Sequence, residues 1–150
     1  AQPFLTAAWR TTIGCLPLPA AGTVAVCTGW TLTITPLARH ALPADWRTRG
    51  DAWQVYLDAE QIGPLALTTP HPGHQFAPLG MAGRHKSVGD FFTDRKVPVV
   101  SRRGWPLIID QRDAEVLWIS GYQPSHCARI TEQTTVVLRL TWRRDDEVTG

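Results

Sequence analysis

Residues Gly80–Gly121 read GMAGRHKSVGDFFTDRKVPVVSRRGWPLIIDQRDAEVLWISG, and they hold most of the helix signal, the densest basic charge and two apolar runs behind a proline-bracketed turn. Val88, Phe91 and Phe92 recur at i, i+3 and i+4, which is the spacing of one apolar helical face. Ser87 followed by Asp90 has capping-box spacing, so a helix is predicted over Lys86–Asp94 with its start near Ser87. Gly80 and Gly83 loosen the backbone ahead of it, and Val97-Pro98 ends it, because the residue before a proline is pushed out of helical angles. A helix of roughly two to three turns does not persist alone in water, so Phe91 and Phe92 must dock on a larger surface. Two predicted strands follow, Trp105–Ile109 and Glu115–Ser120, with a hairpin over Asp110–Ala114 and a stop at Gly121.

Upstream, Thr23–Val26 and Trp30–Thr35 are β-branched and separated by Thr28-Gly29, the pattern of a tight hairpin that Pro36 closes. Trp53–Leu57, with Trp53, Val55 and Leu57 on one face, and Leu65–Thr68 follow as strands on either side of a turn at Asp58-Ala59-Glu60. Thr134–Trp142 alternates as a half-buried closing strand, and the charged tail from Arg143 is expected to fray. Ala1–Gly14 fits one helical turn or two equally well. The fold class is therefore α+β and mostly β: about seven short strands in mixed or antiparallel hairpins, with one covering helix. Two regions are expected, a hairpin-and-connector stretch over residues 1–50 and a domain over 51–150.

A chain of 150 residues with 43% apolar and 19% charged side chains is a globular one. No apolar run approaches the ~20 residues of a membrane span. It begins Ala-Gln-Pro rather than with Met and lacks a basic-then-apolar leader, which suggests a piece of a longer protein without a signal peptide. Cys15, Cys27 and Cys127 form an odd set without paired spacing, as expected of buried thiols in a reducing, cytoplasmic compartment rather than of disulfides or a zinc site.

Three motifs invite chemistry. His71 and His74 lie three apart, but a proline and a glycine stand between them and no Cys, Asp or Glu sits at ligand spacing, so no metal is expected. Ser125-His126 lacks the flanking glycines of a nucleophile elbow, and adjacent strand side chains point to opposite faces, so no catalytic residue is assigned. Charge is the third. Arg84, Lys86, Arg95, Lys96, Arg102 and Arg103 stand against only Asp90 and Asp94, a local balance of +4 beside +2 for the whole chain, leaving about −2 elsewhere. Such clustering suits a polyanion whose phosphates Lys and Arg neutralise, and equally suits a solvated basic face with no partner. Trp105, close behind Arg102 and Arg103, is the tryptophan to watch for a base or ribose contact, although core packing is the ordinary role of such residues.

Gly80, Lys86, Phe92, Lys96, Pro98, Arg102, Trp105-Pro106, Leu117-Trp118 and Gly121, in that order and spacing, resemble the C-terminal domain of tRNA(Ile)-lysidine synthetase. The resemblance continues loosely to Trp142 and back to about Trp53. It implies a compact β-rich module with a covering helix that contacts tRNA, with Lys86, Lys96 and Arg102 on recurring basic positions. It also implies a parent ligase that uses ATP, with Mg, to attach lysine to the wobble cytidine of a minor isoleucine tRNA. That chemistry would belong to an N-terminal catalytic domain, whose Ser-Gly-Gly-x-Asp-Ser nucleotide loop is not in this sequence, so no cofactor is expected here. Three positions depart from the family pattern. Thr68 stands where an arginine is usual in a loop, His74 replaces an aspartate, and Ser87 replaces a second lysine, which implies a weaker phosphate grip there. A structural module that docks on a catalytic domain or second subunit is the alternative, and its mark would be an exposed apolar patch.

Overall fold

The computed structural model describes residues 15–27, 29–47, 51–71 and 73–144; the expectations for Ala1–Gly14, Thr28 and the tail beyond Arg144 fall outside these. Ten strands and two α-helices are described: β1 (Cys15–Pro17), β2 (Gly22–Cys27), β3 (Trp30–Ala38), β4 (Gln54–Asp58), β5 (Leu65–Thr68), β6 (Gln75–Phe76), β7 (Lys86–Ser87), α1 (Val88–Asp94), α2 (Val99–Arg102), β8 (Leu107–Asp110), β9 (Val116–Ile119) and β10 (Val136–Arg144). They form two four-stranded sheets, ordered β1-β5-β8-β9 and β2-β3-β10-β4, and a β6-β7 ribbon. Every described pairing is antiparallel, so the expected mixed hairpins resolve to one kind.

The first sheet is the middle layer. One of its faces packs Leu67, Ile108, Leu117 and Trp118 against Leu32, Ile34, Leu57 and Leu140 of the second sheet. Its other face packs Ala66, Leu107, Ile109 and Val116 against Phe76, Val88, Phe91 and Phe92. Burial on both faces explains why LALT, LIID and VLWI show no polar alternation, whereas β3, with one face covered, alternates along its first half. Residues on both sides of position 50 share these layers: β1 pairs with β5, and β3 pairs with β10 over nine residue pairs, Trp30–Ala38 against Val136–Arg144.

Pro36 does not close β3. The Arg39 N–H points to Thr135 O across β10, so alternation turns the Pro36 nitrogen to the opposite side, beyond the last β2 partner, Gly22 opposite Ile34. A missing N–H there breaks no ladder bond. The same long pairing holds Arg143 and Arg144, expected to fray, opposite Thr31 and Trp30. The covering helix starts at Val88 because Lys86 and Ser87 are used in the ribbon with β6. A second helical turn, α2, follows Pro98 and has no counterpart in the sequence reading; proline suits the entry to a helix, where its absent N–H has no partner to lose. Cys15 and Cys127 are free thiols, as expected, but exposed rather than buried. Cys15 opens an edge strand, where only one neighbour covers it.

Candidate nucleic-acid interface

The basic window runs from the turn ahead of β7 through β7, α1 and the bend after it to the end of α2. Ser87 Oγ accepts the Asp90 N–H at 3.0 Å, which caps α1, and Asp90 adds a negative charge at the positive end of the helix. At the other end the Val97 N–H bonds Phe92 O and the Lys96 N–H bonds Thr93 O, both at 3.0 Å. This is a Schellman motif, completed by burial of Val97 and Phe92 in one cluster. Its left-handed position, usually glycine, is Lys96 at φ 58°.

Five of the six predicted contact residues, Lys86, Arg95, Lys96, Arg102 and Arg103, gather around the ends of α1 and α2 through the Lys86–Asp94 pair and the Arg102 bonds to Val97 and Thr93, whereas Arg84 contacts only its own turn among the described residues. Lys86 Nζ pairs with the Asp94 carboxylate. Arg95 lies over the rings of Phe91 and Tyr122, 5.0 and 5.7 Å from their centroids. Arg102 turns inward: its Nε and Nη2 donate to Val97 O at 2.9 and 2.8 Å, and Nη1 donates to Thr93 Oγ1 at 3.1 Å. The Arg84 side chain makes a long contact, 3.4 Å, from Nε to Met81 O, which also accepts the Arg84 N–H at 3.0 Å. Lys96 and Arg103 are exposed, and no ion pair engages either among the described residues. His85, between Arg84 and Lys86, contacts Glu115 of the β8–β9 turn at 2.8 Å.

Trp105 is not placed to stack on a base. Only 5% of its surface is accessible, its Nε1 donates to Ser120 O at 2.7 Å, and Trp53, Phe92 and Tyr122 surround its ring. The turn between α2 and β8 directs the ring inward, where it completes the core between α1 and the middle sheet. Thr68 is likewise interior: it closes β5, buried opposite Leu107, rather than lying in the following loop. Ser87 is committed to the helix cap. His74 Nδ1 accepts the His71 N–H at 3.0 Å, and burial, reinforced by the neighbouring His71, lowers its pKa. Ser125 Oγ lies 3.1 Å from Cys127 Sγ, not from a histidine.

Sequence reasoning missed a second basic feature. Arg47 and Arg129, remote in sequence from the window, join Arg95 in one groove whose lining includes Trp46, Val55, Tyr122 and Ile130. The pairing of β10 with β4 draws the segments of Arg129 and Arg47 toward one another, and no spacing in the chain signals it.

A family model described as the TilS substrate C-terminal domain matches residues 65–142. The tRNA(Ile)-lysidine synthase of Geobacter sulfurreducens is 32% identical over 147 residues, 95% of this chain and 28% of that protein. Those of Dehalococcoides mccartyi and Symbiobacterium thermophilum are 39% and 32% identical over 59% and 79% of this chain, and 18% and 24% of their own lengths. The chain thus spans between 18% and 28% of these relatives. In fold it is similar to a crystal structure of a TilS C-terminal domain, with a TM-score of 0.70 at 20% identity over 87% of this chain and 96% of that one. It is also similar to an N-terminal fragment of the phenylalanyl-tRNA synthetase β-subunit from Pyrococcus horikoshii, with a TM-score of 0.56 at 16% identity over 90% of this chain and 48% of that one.

Proposed function

Because the chain belongs to the family of TilS substrate C-terminal domains, we propose that it holds tRNA through the edge formed by α1 and α2 and makes no bond itself. The observation that carries this reading is the pair Lys96 and Arg103, exposed cations with no acidic partner among the described residues, displayed with Arg95 at the ends of α1 and α2, with Arg84 exposed in the turn ahead of β7. A salt bridge takes up Lys86 and a carbonyl takes up Arg102, but these four keep donors available for phosphate oxygens. Contacts of this kind set the register and orientation of an RNA without reading its sequence. Held that way, a substrate reaches its reacting group already positioned, which converts binding into rate elsewhere in the enzyme.

The wider activity proposed for the longer protein is that of a tRNA(Ile)-lysidine synthase, the name its relatives carry, and the family resemblance adds that lysine is joined to a minor isoleucine tRNA at its wobble cytidine, in the cytoplasm. The ATP and magnesium such a ligase requires are assigned to a catalytic unit outside this chain, which would be the domain's second partner. Lys86 and Arg102 are assigned a supporting role, since a phosphate would have to displace Asp94 from one and the Val97 carbonyl from the other.

Fluorescence anisotropy with an isoleucine tRNA tests the reading, at about 50 and 200 mM salt, for the wild type and Lys96→Ala/Arg103→Ala. Each lost phosphate contact flattens the log–log salt slope by about 0.9, so the double variant is expected to flatten it by about 2. Binding that ignores salt, or that the variant retains in full, would refute it.

A second reading has its own observation. Val99 and Val100 on α2 are 72% and 79% exposed, an apolar pair on the rim of the same edge. If this pair docks on a further part of a longer protein, Val99→Ser/Val100→Ser would weaken that association at every salt concentration while leaving tRNA binding by the chain intact.

A further inference from the structure

Arg47, Arg95 and Arg129 line one open groove of about 670 Å³, within the roughly 300–1,000 Å³ range of small-ligand sites. Each guanidinium is oriented by something other than a carboxylate. Arg47 lies 4.6 Å over the Trp46 ring, Arg95 lies 5.7 Å over that of Tyr122, and Arg129 donates Nη1 to His126 O at 2.7 Å. None of the three forms an ion pair among the described residues. Asp51, the acid in the lining, accepts the Trp53 N–H at 3.0 Å through Oδ1. The groove therefore offers a surplus of cationic donors beside flat faces. Arg95 belongs to both the groove and the basic edge, which makes the two surfaces continuous.

We infer that this groove takes an unpaired stretch of RNA, distinct from the phosphate contacts of the α1–α2 edge. A guanidinium backed by an aromatic ring turns its other face outward, and a nucleobase stacks on such a plane. The N–H edges of the same groups donate to phosphate oxygens in fork geometry. A base inside a duplex has both faces covered by its neighbours and cannot use the stacks, so the site selects single strands. The α1–α2 edge, built of dispersed charges, accepts phosphates from either form. The ligand class rests on the RNA-holding reading above; the position of the site does not.

The test measures anisotropy of a labelled six-nucleotide unpaired RNA and of a blunt RNA duplex. Three proteins are compared: wild type, Arg47→Ala/Arg129→Ala and Lys96→Ala/Arg103→Ala, each checked for an unchanged thermal midpoint. The groove variant is expected to lose tenfold or more in affinity for the unpaired RNA while duplex affinity stays within about twofold. Arg129→Lys, which keeps charge but not the fork, is expected to fall between. Duplex binding without unpaired-RNA binding, or equal loss of both ligands in the groove variant, overturns the groove and leaves the tRNA-holding reading standing. If neither ligand binds the wild type, both readings fail.

Discussion

The guanidinium of Arg102 closes on the carbonyl of Val97, with Nε at 2.9 Å and Nη2 at 2.8 Å, and so ties α2 to the Schellman turn that ends α1. Hydrogen bonds from a charged donor are worth ~1.5–3 kcal/mol when buried and less when half-exposed, as here. Arg102→Ala should cost about 1–2 kcal/mol in denaturant unfolding. Arg102→Lys should recover less than half of it, since an ammonium cannot reproduce the fork. Full recovery by lysine would show that charge, and not geometry, holds the bend.

Lys96 occupies a left-handed position that L-residues enter at a cost of ~1–2 kcal/mol. Lys96→Gly is expected to raise stability by about 0.5–1 kcal/mol, because glycine relieves the strain but gains freedom in the unfolded chain. The same change should weaken tRNA binding. A variant that is both more stable and weaker in binding would mark Lys96 as retained for its charge. Unchanged binding would remove Lys96 from the interface.

Asp110 contributes to the acid limb of stability. Burial pushes its pKa up, but hydrogen bonds from the Arg112 side chain and from the N–H groups of Gly63 and Arg112 outweigh it and hold it at about 2, against an ordinary 3.8. A depressed folded-state pKa stabilises the protein above the unfolded value, and this contribution fades as pH falls from about 5 to about 2. The difference corresponds to about 2 kcal/mol at neutral pH. Asp110→Asn should lose stability at pH 7 and flatten the urea midpoint between about pH 5 and 2. An unchanged acid limb would assign the transition to another carboxylate.

Gly63 tests the same pair from the other side. A Cβ there would lie 2.5 Å from Arg112 Nε. Gly63→Ala should displace that side chain from Asp110 and reproduce part of the Asp110→Asn behaviour, with a smaller loss of about 1 kcal/mol. A wild-type acid limb would show that Arg112 relocates without losing its partner.

Trp105→Phe removes the 2.7 Å bond to Ser120 O and part of a buried ring, and should destabilise by about 1–3 kcal/mol. Affinity of the folded fraction for tRNA should not change, since the ring is enclosed. Loss of affinity beyond loss of folded protein would return Trp105 to the interface.

Local chemistry was legible in the chain. The cap at Ser87, the apolar face of Val88, Phe91 and Phe92, and β5 at Leu65–Thr68 lie where propensity and period place them, because each depends on residues at most four apart. Pro36 misled for the complementary reason. A proline stops a strand only when its nitrogen faces a partner, and which side faces a partner is a property of the sheet. Charge density in the Arg84–Arg103 window was also readable, and so was the family likeness its residues carry. What each cation does was not. Arg102 and Arg103 are adjacent and of one type, yet Arg102 faces a carbonyl five residues back while Arg103 faces solvent, a choice made by the direction of a single helical turn. Trp105 was drawn into the core just beyond the same turn. The groove lay furthest from reach, since Arg47, Arg95 and Arg129 come from three separate stretches of the chain and meet only in the tertiary structure. Short-range order follows from bond rotation and side-chain shape, which the chain carries locally; the meeting of distant charges follows from closing the sheets, which only the whole core can drive.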